Sequence, residues 1–235
     1  LTAAQRAERG EELEEKDKIC IVVPGHGELM KADTHTDMAN ANTETLAFAQ
    51  LSLYGNLHGY SVFRQEVPAH EGDEGALADQ VYAYLSFSKE AEKHNCEYVV
   101  VLARDAYIHS NEPVRSAIHH YEQIIGIKLV MAVPESFPRL KDEHGLTKLA
   151  HGFMIFSPRI LPGLNEFYRQ WYEGMLHGNH GFALLQELMR SSGLEEAHPS
   201  PIVRLTPQLF TGPLGVFARR DQFQDPIFRS TLLEV

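Results

Sequence analysis

The sequence predicts an α/β domain in three layers, with a mostly parallel central sheet covered by helices on both faces. Three observations carry this. Ile19-Cys20-Ile21-Val22-Val23 is a continuous apolar run closed by Pro24-Gly25, the pattern of a strand buried on both faces. Strand-like and helix-like patterns then alternate through the first hundred or so residues, as right-handed β-α-β crossovers require. At 235 residues, with 43% apolar and 23% charged side chains, the chain is long enough for one large core. Its composition excludes disordered, collagen-like and low-complexity classes.

Residues 1–18 are rich in Ala, Glu, Arg and Lys without an apolar stripe and read as a charged, solvated lead-in, so a single domain is expected over 19–235. From about Asn40 to Gly55, Leu46, Ala49, Gln50 and Leu53 recur at helical spacing, and Asn56-Leu57-His58-Gly59 ends that element. Tyr60–Arg64 is the second predicted strand. Ala76–His94 is a long helix with Leu77, Val81, Tyr84, Leu85 and Ala91 along one side, and Tyr98–Leu102 is the third strand. After Asp105 the alternation loosens into a helix over Pro113–Ile124, a strand over Lys128–Val133 and a loop over Pro134–Gly145. An apolar segment, Gly152–Phe156, then precedes helices near Gly163–Glu173 and Gly181–Arg190. The tail from about Pro199 holds five of the 12 prolines and is expected to be extended and loop-like.

Charge and cysteine usage narrow the function classes. With 21 basic against 32 acidic residues the chain carries −11. Such a surface repels phosphate backbones and anionic lipid, so no nucleic-acid partner is expected. No apolar stretch reaches the roughly 18 residues of a membrane span, and the first residues lack the apolar segment of a signal peptide. The sequence starts at Leu1 rather than Met, which leaves room for a targeting or anchor segment upstream. Cys20 and Cys96 sit in apolar runs and read as free, buried, small hydrophobes; two cysteines are too few for a disulfide framework or a zinc finger.

Several short motifs bear on chemistry. Pro24-Gly25-His26-Gly27 has glycines that let backbone N–H groups approach a phosphate, and the same residues also suit a plain strand-ending turn. It lacks the Gly-Lys-Ser/Thr of a P-loop, and Met30 stands where a dinucleotide fingerprint needs a third glycine. His26, Asp33, His35 and Asp37 are metal-capable, but in a chain with 13 histidines and without helical His-x-x-x-His spacing they read as a solvated loop. His119 and His120 are neighbours on a predicted helix and face different ways. No Gly-x-Ser-x-Gly elbow occurs, and neither cysteine has the polar or basic company that activates a thiolate, which disfavours hydrolases of those types. The most informative segment is Cys96–Ile108, where an apolar strand runs straight into the polar break at Arg104-Asp105. In open α/β sheets ligands bind beyond the carboxyl ends of the strands. A carboxylate there suits Mg²⁺ or Mn²⁺ held against a diphosphate, and equally suits a cap on the next helix.

At these residues the chain resembles glycosyltransferases of the GT-A fold, most closely the galactosyl-, mannosyl- and xylosyltransferase family. Members carry an Asn and a His-Gly-Tyr-like element before the second strand, an aromatic-x-Lys in the next helix, and Cys-Glu-Tyr-Val before Asp-x-Asp-Ala. Here stand Asn56 with His58-Gly59-Tyr60, Phe87-Ser88-Lys89, Cys96-Glu97-Tyr98-Val99 and Arg104-Asp105-Ala106, in the same order. Leu129-Val130-Met131-Ala132 resembles the strand that follows, and Leu149-Ala150-His151-Gly152-Phe153-Met154-Ile155-Phe156 the family's Leu-Asn-Thr/Ser-Gly-Phe-x-Leu-Phe. Asn179-His180 lies where an Asp-Gln pair is usual.

The resemblance, which runs from about Lys18 to Leu188, implies a three-layer GT-A domain with a nucleotide-sugar site formed by Pro24, Gly25, Lys89, Arg104, Asp105, His151 and Gly152. It implies catalytic positions at Asn179 and His180, Asp105 as a ligand of Mn²⁺ or Mg²⁺, and transfer of a hexose or pentose to a glycan acceptor with retention. It also implies the secretory lumen, the Golgi, behind an anchor upstream of Leu1; no Asn-x-Ser/Thr sequon occurs in these residues.

The departures from the family fall on the chemistry. The first aspartate of Asp-x-Asp is Ala103, Asn-Thr is Ala150-His151, and Asp-Gln is Asn179-His180. Losing a carboxylate removes charge from a metal site. Three readings follow. The chain is a catalytically silent relative that serves as a binding or assembly subunit with protein partners and no cofactor. Or it transfers sugar without metal, with Arg104, His109, His151 and His180 supplying positive charge. Or the family is misaligned and the departures carry no meaning. The expected function is a glycosyltransferase-like protein that binds a nucleotide sugar, with the silent subunit as the alternative.

Overall fold

The computed structural model describes residues 18–29, 43–70, 75–103, 106–108, 111–134, 153–158, 164–178, 181–191, 202–205 and 217–218. The lead-in at 1–17 and most of the tail lie outside them.

Each predicted helix and strand forms, with ends displaced by a few residues. β1 (Ile19–Gly25) is followed by α1 (Thr43–His58), β2 (Ser61–Glu66), α2 (Gly75–Lys93) and β3 (Tyr98–Leu102). Then come β4 (Tyr107–Ile108), α3 (Val114–Ile125), β5 (Met131–Pro134), β6 (Phe153–Phe156), α4 (Leu164–Leu176), α5 (Gly181–Ser191), β7 (Ile202–Leu205) and β8 (Phe217–Ala218). Among the described residues six strands make one sheet in the order β2-β1-β3-β6-β5-β7. All point the same way except β6, which runs antiparallel to both neighbours.

Period-two alternation divides the sheet's side chains between two cores. Cys20, Val22, Val99, Val101, Met154 and Phe156 face α2, α4 and α5. Ile19, Ile21, Val23, Val100, Leu102 and Ile155 face α1 and α3. Burial on both faces is why β1 and β3 read as unbroken apolar runs. The three-layer α/β architecture predicted from the sequence is the one observed.

Two expectations are corrected. The tail is not wholly loop-like: β7 pairs in parallel with β5, from Met131↔Ile202 to Pro134↔Leu205, and β8 pairs with β4 in a second small sheet. Proline density obscured this, yet Ile202-Val203-Arg204-Leu205 between Pro201 and Pro207 contains no proline and suits an edge strand. Nor are the cysteines free. Cys20 and Cys96 form a disulfide, with Cα atoms 5.8 Å apart and a sequence separation of 76. The parallel pairing of β1 with β3, Ile19 opposite Tyr98, brings the starts of the two strands together. Adjacency made by strand order is invisible in spacing along the chain.

Candidate functional site

Strand order locates the opening. From β1 the chain steps outward to β2, then crosses back to β3 on the other side of β1. Connections diverge at such a reversal and leave a crevice beyond the carboxyl ends of the two strands. One wall is Pro24-Gly25-His26-Gly27, with Gly27 at φ 72° in the left-handed region. The other is Leu102-Ala103, where the link to β4 begins. Both flanks of that link are pinned. Ala106 N donates to Ala103 O at 3.0 Å. Ile108 N donates to Gln50 Oε1 at 2.9 Å while Gln50 Nε2 donates to Ile108 O at 3.1 Å, so an α1 amide stands in for a neighbouring strand.

On the α1 face a cation lies against the glycine that ends β1. A Cβ at Gly25 would fall inside contact distance of the Arg64 guanidinium, which is bound to Glu44 Oε1 through Nε at 3.2 Å and Nη2 at 2.7 Å. Gly25→Ala is expected to displace Arg64 from Glu44. The obstacle is the far end of a flexible side chain, so the loss should stay near that of one charge-assisted pair, about 1 kcal/mol. Thermal unfolding checks it, and a Gly25→Ala protein at wild-type stability with Arg64→Ala equally silent would show that the pair contributes nothing.

On the α2 face, at the same end of the sheet, one carboxylate holds two histidines. His26 Nε2 lies 3.1 Å from Asp79 Oδ2, and His70 Nδ1 lies 2.7 Å from Asp79 Oδ1. His70 Nε2 meets the Tyr172 hydroxyl at 2.8 Å. Asp79 is 9% exposed. An ionised carboxylate only accepts, so each histidine carries a proton on the nitrogen facing Asp79. With His70 neutral, its Nε2 is then an acceptor and Tyr172 O–H donates to it. The network ties the end of β1, the segment after β2, α2 and α4 into one polar cluster. Tyr172 O–H is held above its usual range, chiefly by burial and then by Tyr82 and Asp79 nearby.

No protein-family model matches the chain, and no curated protein sequence matches it. Solved structures do. A glycosyltransferase involved in the glycosylation of the major capsid of PBCV-1 superposes with a TM-score of 0.56 at 14% identity, over 86% of this chain and 94% of that one. Mouse xyloside xylosyltransferase 1 gives 0.44 at 11%, over 92% of each chain. A 4-diphosphocytidyl-2C-methyl-D-erythritol synthase from Anaerococcus prevotii gives 0.44 at 10%, over 93% of this chain and 99% of that one. The first establishes the fold: this α/β domain has the fold of that glycosyltransferase. Function has to come from the site.

Of the residues implied by resemblance, Pro24 and Gly25 are brought to the crevice wall, buried. Lys89 is not. It is exposed on the far part of α2, fourteen residues beyond Gly75, roughly 20 Å along the helix from the end that faces the crevice. Arg104, Asp105, His109, His151, Gly152, Asn179 and His180 lie outside the described residues, as do Asp33, His35 and Asp37. Ala103 packs against the apolar α1 layer. Among the described residues no three His, Cys, Asp or Glu side chains are grouped to hold a metal ion, and no helix among them is long and apolar enough to cross a membrane.

Sequence reasoning missed Arg64, His70, Asp79 and Tyr172, and read His26 as part of a solvated loop. One signal was present. Asp79 falls between Leu77 and Val81 on the buried side of α2, and a carboxylate at such a position needs partners from elsewhere in the fold.

Proposed function

We propose that this chain is a glycosyltransferase-like protein that binds a nucleotide sugar in the crevice beyond β1 and β3, related to the galactosyl-, mannosyl- and xylosyltransferases it resembles. The observation that carries the reading is the reversal of strand order between β1 and β3, beside the antiparallel β6. That reversal opens the sheet beside Pro24-Gly25-His26-Gly27 and Leu102-Ala103, and Asp105 follows this second wall in the sequence. In an active protein, the donor's diphosphate would lie against this wall. Asn179 and His180 would act at the transferred hexose or pentose, and the acceptor would be a glycan hydroxyl. A Mn²⁺ or Mg²⁺ ion would offset charge on the leaving diphosphate. Of the motif's two carboxylate positions only Asp105 remains to hold it, so no step is derived through the metal.

Ala103 favours a second reading, the catalytically silent binding or assembly subunit with protein partners. The buried disulfide supports a secretory-lumen location for either, since such bonds persist in oxidising compartments.

Calorimetric titration with UDP-glucose, UDP-xylose and GDP-mannose, with and without Mn²⁺, tests the proposal. Micromolar binding of one of them is expected. Complete absence of binding overturns the nucleotide-sugar reading, and metal-dependent micromolar binding overturns the silent subunit.

A further inference from the structure

We propose that His26, held through Nε2 by Asp79, is the phosphate-recognising residue of the crevice and delivers positive charge from its Nδ1 to the donor's diphosphate; this deepens the nucleotide-sugar reading and rests on it. His26 is the first residue after β1, on the crevice wall, and its side chain is 18% exposed, so it is anchored but not sealed. Nε2 is committed to Asp79, and Nδ1 makes no hydrogen bond among the described residues. Tying the end of β1 to α2 requires a single N–H donor, which an asparagine or glutamine also supplies. An imidazole adds a second nitrogen, which has no hydrogen-bond partner among the described residues.

The proton inventory gives that nitrogen a function. Asp79 faces His26 from α2, His70 faces Asp79 from the segment after β2, and Tyr172 faces His70 from α4, with Tyr82 of α2 beside His70. With both histidines neutral this cluster carries the single negative charge of Asp79 and repels an incoming diphosphate. A proton added at His26 Nδ1 breaks none of these bonds. It neutralises the cluster and turns a lone pair into a charged N–H donor, the group that binds phosphate oxygens most strongly. A proton added to His70 goes instead to Nε2, where Tyr172 answers by turning its hydroxyl to accept, and that charge stays inside the network. Lower pH supplies that proton, so metal-free binding tightens as pH falls.

UDP-glucose and GDP-mannose are suitable probes because their diphosphate diesters carry the same charge at pH 6 and pH 8. They would be titrated by calorimetry in EDTA at both values into the wild type, His26→Gln and His26→Lys, with folding checked by thermal unfolding. Other histidines in the chain also gain charge at pH 6, so the decisive quantity is the wild type's excess over the variants. About tenfold tighter wild-type binding at pH 6 is expected. His26→Gln should lose that excess, and His26→Lys should bind tightly at both values. A wild-type pH ratio equal to that of His26→Gln, or to that of His26→Lys where the glutamine protein does not fold, overturns the role of His26 and leaves the nucleotide-sugar reading standing. No binding by any protein at either pH, with Mn²⁺ restored as well, overturns that reading and this one with it.

Discussion

Replacing Cys20 and Cys96 together by alanine is expected to lower stability by about 4–5 kcal/mol. The bond links residues 76 apart, and a closed loop of that length removes unfolded-chain entropy worth about 4.5 kcal/mol in the chain-entropy account. For a domain of this size each kcal/mol moves the melting temperature by about 2–4 °C, so a fall of about 10–15 °C should appear. Both cysteines are fully buried, which adds a kinetic expectation: reductant should leave the native protein untouched, and alkylation of both sulfurs should require denaturant. The bond joins the start of β1 to the residue two before β3, so it fastens the base of the two strands whose other ends form the crevice. Thermal melts of the wild type and the double variant, with urea midpoints measured with and without reductant, check the magnitude. A double variant melting within about 3 °C of the wild type would refute the argument.

That bond also marks where sequence reading stopped. The runs Ile19–Val23 and Tyr98–Leu102 were legible because a strand buried on both faces needs apolar residues at every position, a requirement local to the segment. Leu77, Val81, Tyr84 and Ala91 were legible for the same reason, since helical period places them on one side. Cys20 and Cys96 meet only because β1 and β3 are neighbours in the sheet, a fact of topology. Asp79 draws partners from 53 residues before it and nine residues before it, and His70 reaches 102 residues ahead to Tyr172. No periodicity carries such information. Lys89 shows the converse: the resemblance implied a binding role for it, yet helical geometry places it exposed on the far part of α2. The resemblance identified the fold correctly because core residues define folds. The residues that do chemistry sit at loop ends, where three-dimensional arrangement decides.

Trp171→Ala is expected to be comparably severe, at about 3–5 kcal/mol, by a folded-state route. Trp171 is fully buried on α4, in the core that α2, α4 and α5 build against the sheet. Truncating a buried aromatic loses its transfer free energy and leaves a cavity that close-packed neighbours fill only in part. The indole also donates Nε1–H to Gly181 O at 2.6 Å, across the link that carries Asn179-His180. Trp171→Phe separates the two contributions. It keeps most of the apolar volume and loses the hydrogen bond, so a cost of about 1–2 kcal/mol is expected. Since Gly181 begins α5, that smaller loss should fall on the docking of α4 against α5 and not on the sheet. Amide exchange should then rise in α5 of the phenylalanine variant while β1 and β3 keep wild-type protection. The chain has one tryptophan, so wild-type emission reports directly on this site, and urea unfolding followed by fluorescence and by circular dichroism should give one midpoint. For the variants circular dichroism alone supplies the midpoint. An alanine variant within about 1 kcal/mol of the wild type would mean that α4 contributes little to holding the sheet, and with it the anchoring of His70 through Tyr172 would lose its support.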